Sequence, residues 1–162
     1  MRIHIATDHA GLDLSHFLIR ELTKQGHDVF DHGPTTYDPL DDYPSFCINA
    51  ALAVVADQQA GVEALGIVLG GSGNGEQIAA NKVKGIRAAL AVTPALVKTA
   101  REEQNANALV IGASHTNLDA AKAAISAAFE NSYIGAVDSS RRIINVAEYE
   151  NRGTIEGWLI EG

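Results

Sequence analysis

The sequence predicts an α/β domain, a three-layer Rossmann-like fold with a five-stranded parallel sheet and helices on both faces. Apolar segments of strand length alternate along the chain with longer segments whose apolar residues follow the helical period. This alternation is typical of a parallel sheet covered on both sides. The chain has 162 residues, 46% of them hydrophobic, which is enough to bury one core. We therefore expect a single domain over residues 1–162.

The first elements follow from local patterns. An apolar strand is predicted over 3–7. A helix is predicted over 12–25 because its apolar residues form one stripe and Gly26 stands where a glycine ends a helix. A short strand over 28–31 follows. Residues 33–44 show no period and are rich in turn residues, which predicts a surface loop of the kind that often carries function.

The rest of the chain continues the alternation. The strand over 65–69 is apolar throughout and leads into a glycine-rich turn, from which a helix starts. The remaining elements follow from the same periodicities. They are helices over 45–57, 94–104, 118–130 and 139–149, and strands over 86–91 and 108–111.

Charge and composition exclude some classes of function. A net charge of −8 argues against DNA or RNA, because binding to a polyanion needs clustered lysine and arginine. The six histidines lack the paired spacing of a zinc site, so neither a metal nor another cofactor is expected. The sequence shows no apolar run of membrane-spanning length and no export signal, which predicts a cytoplasmic protein. Cys47 has apolar neighbours and is expected to be a buried thiol.

The turn at residues 70–75 and the helix start after it are the most informative segment. Four of the six turn residues are glycines, so backbone N–H groups can crowd around a ligand. Glu76 is the one ionisable side chain there. The turn lacks the Lys-Ser/Thr of a P-loop, and Gly71, Gly73 and Glu76 do not fit the dinucleotide spacing, which disfavours nucleotides. A carboxylate beside such amides suits proton abstraction next to a carbonyl, with the amides stabilising the enediolate oxygen.

Two further polar segments are predicted at the same edge of the sheet, outside the carboxyl ends of the strands. Asp8 and His9 follow the first strand, and 112–115 follow the fifth. Each residue also has a structural interpretation: Glu76 as a charge that suits the helix dipole, His9 as a core or capping histidine, and Asp8 as a cap. Their joint occurrence at one edge favours the functional interpretation.

Five segments carry a resemblance to a known family: 6–11, 42–44, 70–82, 85–88 and 147–150. They resemble the ribose-5-phosphate isomerase B and galactose-6-phosphate isomerase family of aldose–ketose isomerases. The resemblance covers most of the chain, and its central run is highly specific. It is most similar to the actinobacterial branch, in which a glutamate replaces the cysteine base of other members.

The resemblance implies isomerisation of the ribose 5-phosphate to ribulose 5-phosphate class through a cis-enediolate. Glu76 would move the proton between C1 and C2, and Asp8 would bind sugar hydroxyls or help shift protons between oxygens. His9 and Arg142 would meet the phosphate, and Tyr43 would line the pocket. The enediolate would be held by Ser72 and by the backbone of Gly71, Gly73, Asn74 and Gly75.

The resemblance also implies a homodimer or a larger assembly, with shared active sites and no metal. The C-terminal helix and tail, about 139–162, would then dock on the partner subunit. Three apolar tail residues agree with such docking: Trp158, Leu159 and Ile160.

The chain departs from the family pattern at four positions. Glu103 and Gln104 stand where the family has the histidine and asparagine that open the sugar ring, Ser114 stands in place of an arginine, and Asp138 replaces the partner of Arg142. Three alternatives to a ribose 5-phosphate isomerase therefore stay open. They are an isomerase of a tetrose phosphate such as erythrulose 4-phosphate, an isomerase of an unphosphorylated sugar, and a sugar-binding homologue without catalysis. Glu103 would serve as the ring-opening acid if burial raised its pKa, and His115 or Arg141 would compensate for the lost arginines.

Overall fold

Five strands form the sheet of the computed structural model, which describes residues 1–155. They are β1 (Arg2–Ala6), β2 (Asp28–Asp31), β3 (Ala64–Gly70), β4 (Ala88–Leu90) and β5 (Ala108–Gly112). Their order across the sheet is β2-β1-β3-β5-β4, and every neighbouring pair is parallel. The predicted fold class is therefore confirmed.

The described residues also form six α-helices, whose ends have identifiable caps. The side chain of Thr93 accepts a hydrogen bond from Leu96 N, and that of Asn117 accepts one from Ala120 N, so each fixes a helix start. Gly153, at φ 71°, ends the last helix. The helices are α1 (Leu12–Lys24), α2 (Tyr43–Gln59), α3 (Asn74–Ala80), α4 (Pro94–Gln104), α5 (Leu118–Glu130) and α6 (Val137–Arg152).

Three elements show the largest differences from their predicted bounds, and β1, α1, β3 and β5 differ by one residue at one or both ends. Helix α2 begins at Tyr43, two residues before the predicted start, because Asp42 is extended and Pro44 fits the first turn of a helix. Strand β4 has three residues where 86–91 was expected. Helix α6 extends beyond the predicted 139–149 at both ends. Tyr43 therefore lies on a helix and not in the preceding loop.

The two faces of the sheet pack against different helices. Residues that alternate along β3 show this division, because Ile67 belongs to the core that includes Leu18 of α1 and Ala124 of α5, whereas Val68 packs with Val54 of α2. All seven residues of β3 are buried. The central strand is thus covered on both faces, as a continuous apolar run predicts.

The register of the strands brings three carboxyl ends together. Ala6 at the end of β1 pairs with Val68, and Gly70 at the end of β3 pairs with Gly112 at the end of β5. The segments that follow these strands therefore leave the sheet at one edge. In open parallel sheets this edge is where ligands bind.

Helix α3 is attached to the outer strand β4 through side-chain amides. Asn81 Nδ2 donates to the Ala88 carbonyl at 3.0 Å, and the Ala88 N–H donates to Asn81 Oδ1 at 2.9 Å. Gln77 Nε2 also donates to the Ala88 carbonyl, at 3.2 Å. These bonds satisfy both main-chain groups of Ala88.

A partly buried polar cluster lies between the sheet and α2, with His4 as its buried member. His4 Nδ1 lies 2.9 Å from His32 Nε2, and His4 Nε2 lies 2.8 Å from Asp57 Oδ2. Arg2 Nη1 donates to Asp57 Oδ1 at 2.7 Å. The imidazole of His4 stacks on Phe30. The cluster ties β1 and the end of β2 to α2.

None of the described helices has the length and apolar character needed to cross a membrane. The predicted docking of the C-terminal tail concerns Trp158, Leu159 and Ile160. These three residues lie outside the described residues.

Candidate active site

Two loops at the carboxyl edge of the sheet are joined by main-chain hydrogen bonds. The Ala113 N–H donates to the Gly70 carbonyl at 2.7 Å, and the Ser114 N–H donates to the Gly71 carbonyl at 3.0 Å. The glycine turn after β3 is therefore fastened to the loop after β5. Ser114 also lies close in space, because a Cβ on Gly71 would be 3.8 Å from its Oγ.

The glycine turn needs its central glycine. Gly73 has φ 82°, and a Cβ there would lie 3.0 Å from Leu90 Cδ2 and 3.3 Å from Gly112 N. Only glycine combines this left-handed backbone with so close an approach. Ser72 and Asn74 on either side are exposed, and the Asn74 N–H donates to Ser72 Oγ at 3.2 Å.

Glu76 lies in the first turn of α3 and is 4% exposed. A side chain on Gly70 would overlap its carboxylate, so the end of β3 leaves the space that this group occupies. Burial raises the pKa of Glu76, hydrogen bonds from the backbone N–H groups of Glu76 and Gly73 lower it, and the charge of Asp8 raises it, with a net upward shift. The turn therefore holds a carboxyl group whose pKa lies above the ordinary range.

Asp8 serves both as a cap and as a neighbouring charge. Its Oδ1 accepts a hydrogen bond from Ala10 N at 3.0 Å and caps the short 3-10 turn His9–Gly11. The residue is 7% exposed, and its charge acts on Glu76. The structural interpretation of Asp8 as a cap is confirmed, and its proximity to Glu76 keeps it in the candidate site.

Tyr43 packs on the glycine turn from the start of α2. A Cβ on Gly75 would lie 2.6 Å from both Cζ and Oη of the tyrosine. The absence of a side chain at Gly75 thus admits the phenol ring. We refer to Asp8, Tyr43, Glu76, Ser114 and the turn 71–75 as the Glu76 cluster.

His9 is held by Asp41, a residue that the sequence analysis did not select. His9 Nδ1 lies 2.6 Å from Asp41 Oδ1, and the His9 backbone N–H donates to the same oxygen at 3.2 Å. This hydrogen bond raises the pKa of His9, burial lowers it, and the charges of Asp8, Asp41 and Asp38 raise it further, with a net upward shift. The only signal in the sequence was the long loop itself, which indicated function without indicating a residue.

Asp8, His9 and Asp41 form a group with the spacing of metal ligands. Each offers one ligand atom, and these atoms lie within 4.8 Å of one another, the single such group among the described residues. The Nδ1 of His9 already pairs with Asp41.

The other predicted site residues lie elsewhere in the chain. Glu103 and Gln104 end α4, and Asp138 and Arg142 lie on the first turns of α6. We call these four residues the α4–α6 surface. Within residues 1–155 no described contact joins the α4–α6 surface to Glu76.

The α4–α6 surface borders a cavity and contains an ion pair. Gln104 and Arg142 line a cavity of about 510 Å³ together with Gln77 and Glu150. Asp138 Oδ1 pairs with Arg141 Nη1 at 2.8 Å, so Arg141 is engaged on its own helix. Glu103 is exposed. Residues 1–155 therefore do not bury the side chain of Glu103.

A second cavity, of about 200 Å³, lies beside the glycine turn. His115 and Ser72 line it with Leu90, Val92 and Thr116. The predicted place of His115 at the end of β5 is confirmed. His115 is exposed at the border of this cavity.

Cys47 is fully buried in α2, as predicted. Burial raises the pKa of its thiol to about 12, and the charges of Glu76 and Asp8 add to this effect. The thiol is therefore protonated at neutral pH. The carboxyl groups near the turn are those of Glu76 and Asp8.

Comparison with known sequences identifies relatives over most of the chain. Residues 3–146 match a family model described as Ribose/Galactose Isomerase. Ribose-5-phosphate isomerase B of Mycolicibacterium paratuberculosis is 46% identical over 150 residues, which cover 93% of this chain and 92% of the relative. The enzyme of the same name from Escherichia coli is 34% identical over 134 residues, covering 83% of this chain and 87% of the relative.

Solved structures with a similar fold include ribose-5-phosphate isomerases B. The fold is similar to that of Clostridium thermocellum ribose-5-phosphate isomerase B, with a TM-score of 0.87, 32% identity, and coverage of 95% of this chain and 100% of that chain. It is also similar to ribose-5-phosphate isomerase B from Mycoplasma genitalium with bound ribulose-5-phosphate. There the TM-score is 0.85, the identity is 32%, and the coverage is 93% of this chain and 97% of that chain.

Proposed function

Because the chain belongs to the ribose/galactose isomerase family, we propose that it interconverts an aldose and a ketose, with ribose 5-phosphate and ribulose 5-phosphate as the substrate class. The observation that carries this proposal is the buried carboxyl group of Glu76 beside the glycine turn. Relatives at 46% identity that are named ribose-5-phosphate isomerase B support the same substrate class.

The chemistry follows from the position and pKa of Glu76. In its ionised form the carboxylate takes a proton from the carbon next to the substrate carbonyl. The C–H electron pair forms the C=C bond of a cis-enediolate, and the carbonyl oxygen gains negative charge. The carboxylic acid then returns the proton to the neighbouring carbon, while a proton moves between the two oxygens. A raised pKa suits a group that must accept and return a proton near neutral pH.

The glycine turn supplies the donors for the developing charge. The backbone N–H groups of Gly71 and Gly75 and the hydroxyl of exposed Ser72, to which the Asn74 N–H donates, would bind the enediolate oxygens. Asp8, already oriented by Ala10 N, would bind sugar hydroxyls. Tyr43, packed against Gly75, would form the wall of the pocket.

We also propose that the chain belongs to the branch of the family that uses a glutamate as the base. Support comes from the burial of Glu76 and from the Cys47 thiol, whose pKa of about 12 leaves it protonated. The mycobacterial relatives are 44 to 46% identical. They are the proteins in which a buried glutamate at the position of Glu76 would be sought first.

A homodimer with shared active sites is the proposed assembly. The α4–α6 surface has no described contact with Glu76 in its own chain, so a second copy would be needed to bring the two together. Exposed apolar side chains on α6 favour such packing. They are Val137, Ile144, Val146 and Tyr149.

Mixing two inactive variants tests the shared site. Glu76→Gln and Arg142→Ala homodimers would be unfolded together and refolded. Half of the dimers would then be mixed, each with one intact site, which predicts about one quarter of wild-type activity. Activity no greater than that of the two separate variants would contradict the shared site.

Solvent exchange tests the chemistry itself. Ribose 5-phosphate would be incubated with the protein in D₂O and followed by proton NMR. We expect deuterium at C1 or C2 of the recovered sugars with the wild type and about 10²- to 10⁴-fold slower exchange with Glu76→Gln. A protein that only binds sugars cannot introduce the label. Absence of exchange with every sugar offered would therefore support a sugar-binding homologue instead.

A second candidate is an isomerase of a different sugar, either a tetrose phosphate or an unphosphorylated sugar. The observation that favours it is the charge of the site: Ser114 is neutral, and Asp138 is an anion paired with Arg141. Charge-assisted hydrogen bonds contribute roughly 1.5 to 3 kcal/mol each. Loss of two arginines would remove about 3 to 6 kcal/mol of phosphate binding, roughly a hundredfold to ten-thousandfold in affinity.

Turnover of several sugars separates the two candidates. Ribose 5-phosphate, erythrulose 4-phosphate and free pentoses would be compared by kcat/KM. Ordinary efficiency on ribose 5-phosphate would remove the second candidate. If a free sugar is preferred, Ser114→Arg should shift the preference toward the phosphorylated sugars.

A further inference from the structure

The carboxylate of Asp41 receives hydrogen bonds from one residue. Both come from His9, at 2.6 Å from the ring Nδ1 and 3.2 Å from the backbone N–H, and both end on Oδ1. Oδ2 is buried and has no hydrogen-bond partner among the described residues. The side chain is 8% exposed although it belongs to a surface loop. Among these residues, His9 alone offsets the desolvation of Asp41.

This contact fixes the protonation pattern of the His9 ring. An ionised carboxylate only accepts hydrogen bonds, so the hydrogen must lie on Nδ1 of His9. The remaining ring nitrogen, Nε2, has no partner within the described part of the chain, and the His9 side chain is 32% exposed. Nε2 is thus the ring atom that a ligand can reach.

The groups around His9 favour its charged form. The carboxylates of Asp8, Asp38 and Asp41 all act on it, and the ring of Tyr37 meets it edge-on at 6.0 Å between centroids. The pKa of His9 is raised, chiefly by the hydrogen bond to Asp41. When the ring is charged, Nε2 also carries a hydrogen and can donate it to an oxygen.

We propose that Asp41 is a positioning residue for the isomerase: it takes the Nδ1–H hydrogen bond of His9 and thereby presents the Nε2–H of that ring to an oxygen of the substrate. Carboxylate–imidazole pairs orient histidines in this way at many catalytic and metal sites. The proposal rests on the proposed function for its substrate but not for its geometry.

NMR of the ring nitrogens tests the geometry without any substrate. In ¹⁵N-labelled protein above the His9 pKa, the neutral ring should carry its hydrogen on Nδ1. In a free neutral histidine the ring hydrogen usually lies on Nε2. Asp41→Asn should lower the pKa of His9, and Asp41→Ala should return the ring to the Nε2–H form. A wild-type ring with its hydrogen on Nε2 would overturn the proposal even if every variant failed to fold.

Kinetics with ribose 5-phosphate test the consequence. At a pH between the lowered His9 pKa of Asp41→Asn and that of the wild type, the ring of the variant is neutral and has no Nε2–H to donate to the substrate. KM should then rise by about 10- to 100-fold, the effect of losing a hydrogen bond that involves a charged group, and kcat should change less. Substrate binding should weaken when rising pH removes the proton of His9. Because the His9 pKa is lower in Asp41→Asn, this weakening should occur at a lower pH than in the wild type. Equal kinetics of the wild type and Asp41→Asn would overturn the proposal.

Asp38→Asn is the matched control. Asp38 is an exposed carboxylate of the same loop, and its Oδ1 accepts from Leu40 N at 2.9 Å, which asparagine can also do. It lacks the hydrogen bond to His9, so KM and the ring tautomer should stay near wild-type values. If both variants had the same effect, loop anchoring would explain it and the positioning role would be wrong. If the wild type lacked isomerase activity but kept the Nδ1–H ring, the proposed function alone would fail.

Discussion

The carboxyl group of Glu76 lies where a side chain on Gly70 would begin. Strand β3 ends at this glycine, and α3 brings the glutamate back over it. A backbone without a side chain therefore defines the position of the proposed base. The buried site and the raised pKa of Glu76 both depend on this close approach.

Gly70→Ala should inactivate the protein more than it destabilises it. The methyl group would displace the Glu76 carboxylate, so kcat should fall by about 10²- to 10⁴-fold, as for loss of a general base. Gly66→Ala in the same strand is the control. Its methyl would lie 3.0 Å from Ala108 Cβ, away from the site, and should lower Tm while kcat stays near wild type. Steady-state kinetics and thermal melts would show the contrast, and normal kcat in Gly70→Ala would contradict it.

Glu76→Gln should lose activity and gain stability at alkaline pH. Because the folded-state pKa of Glu76 is raised, ionisation favours the unfolded chain, and stability is lost as pH rises through the folded pKa. Glutamine does not ionise. The Tm of the variant minus that of the wild type should therefore be larger at pH 8 than at pH 4. A difference of the opposite sign would show that the ionised carboxylate stabilises the fold.

Asp8→Asn should shift the acid limb of the kcat/KM profile to lower pH. The charge of Asp8 raises the pKa of Glu76, although burial is the larger cause, so the shift should be partial. Asparagine can still accept the hydrogen bond from Ala10 N, which preserves the cap. The profile would be measured between pH 4 and 9. An unchanged acid limb would mean that the two carboxyl groups do not interact.

Cys47 should be unreactive and dispensable. Its thiol is fully buried and has a pKa of about 12, so iodoacetamide at pH 8 should leave the native protein active and unmodified. Cys47→Ala should keep kcat within about twofold and cost about 1 kcal/mol of stability, a typical effect of one substitution. Mass spectrometry before and after unfolding would report the labelling. Rapid loss of activity with one label on the native protein would contradict the assignment.

His32 should limit stability in acid. Burial and the neighbouring His4 lower its pKa, so the unfolded chain binds the proton more readily and stability falls as pH drops below the ordinary value. The pKa of Asp57 is lowered mainly by the hydrogen bond from His4, which adds a loss at more acidic pH. His32→Asn should flatten the fall of Tm between pH 7 and 5. An equally steep fall in both proteins would exclude His32 as the cause.

The sheet and the base were predictable because local patterns determine them. The buried run of β3 and the glycines of the turn indicate a strand end with crowded amides, and Glu76 is the one ionisable residue there. Parallel topology alone then places Asp8 beside it. The predicted ranges of α4 and α5 agree with the structure for the same reason, since caps and apolar stripes mark both ends.

The contacts of Asp41 and Tyr43 could not be read from the sequence, because both depend on how a long loop closes. Tyr43 was expected in that loop and instead begins α2, where it packs against Gly75. Asp41 meets His9 across 32 positions, and no local pattern encodes a pairing over that separation. The place of Arg142 relative to Glu76 stays a prediction, since in the proposed homodimer it depends on a second chain.

The side-chain amide of Asn81 also has a consequence for association. It forms hydrogen bonds with both main-chain groups of Ala88. At this residue it therefore pairs with the edge strand β4 as a neighbouring strand would. Unpaired edge strands can pair with strands of other chains and start aggregation. At Ala88 neither the main-chain N–H nor the carbonyl is left unpaired, so a strand of another chain cannot pair with β4 there. Pairing of two sheets through β4 is therefore disfavoured at this residue.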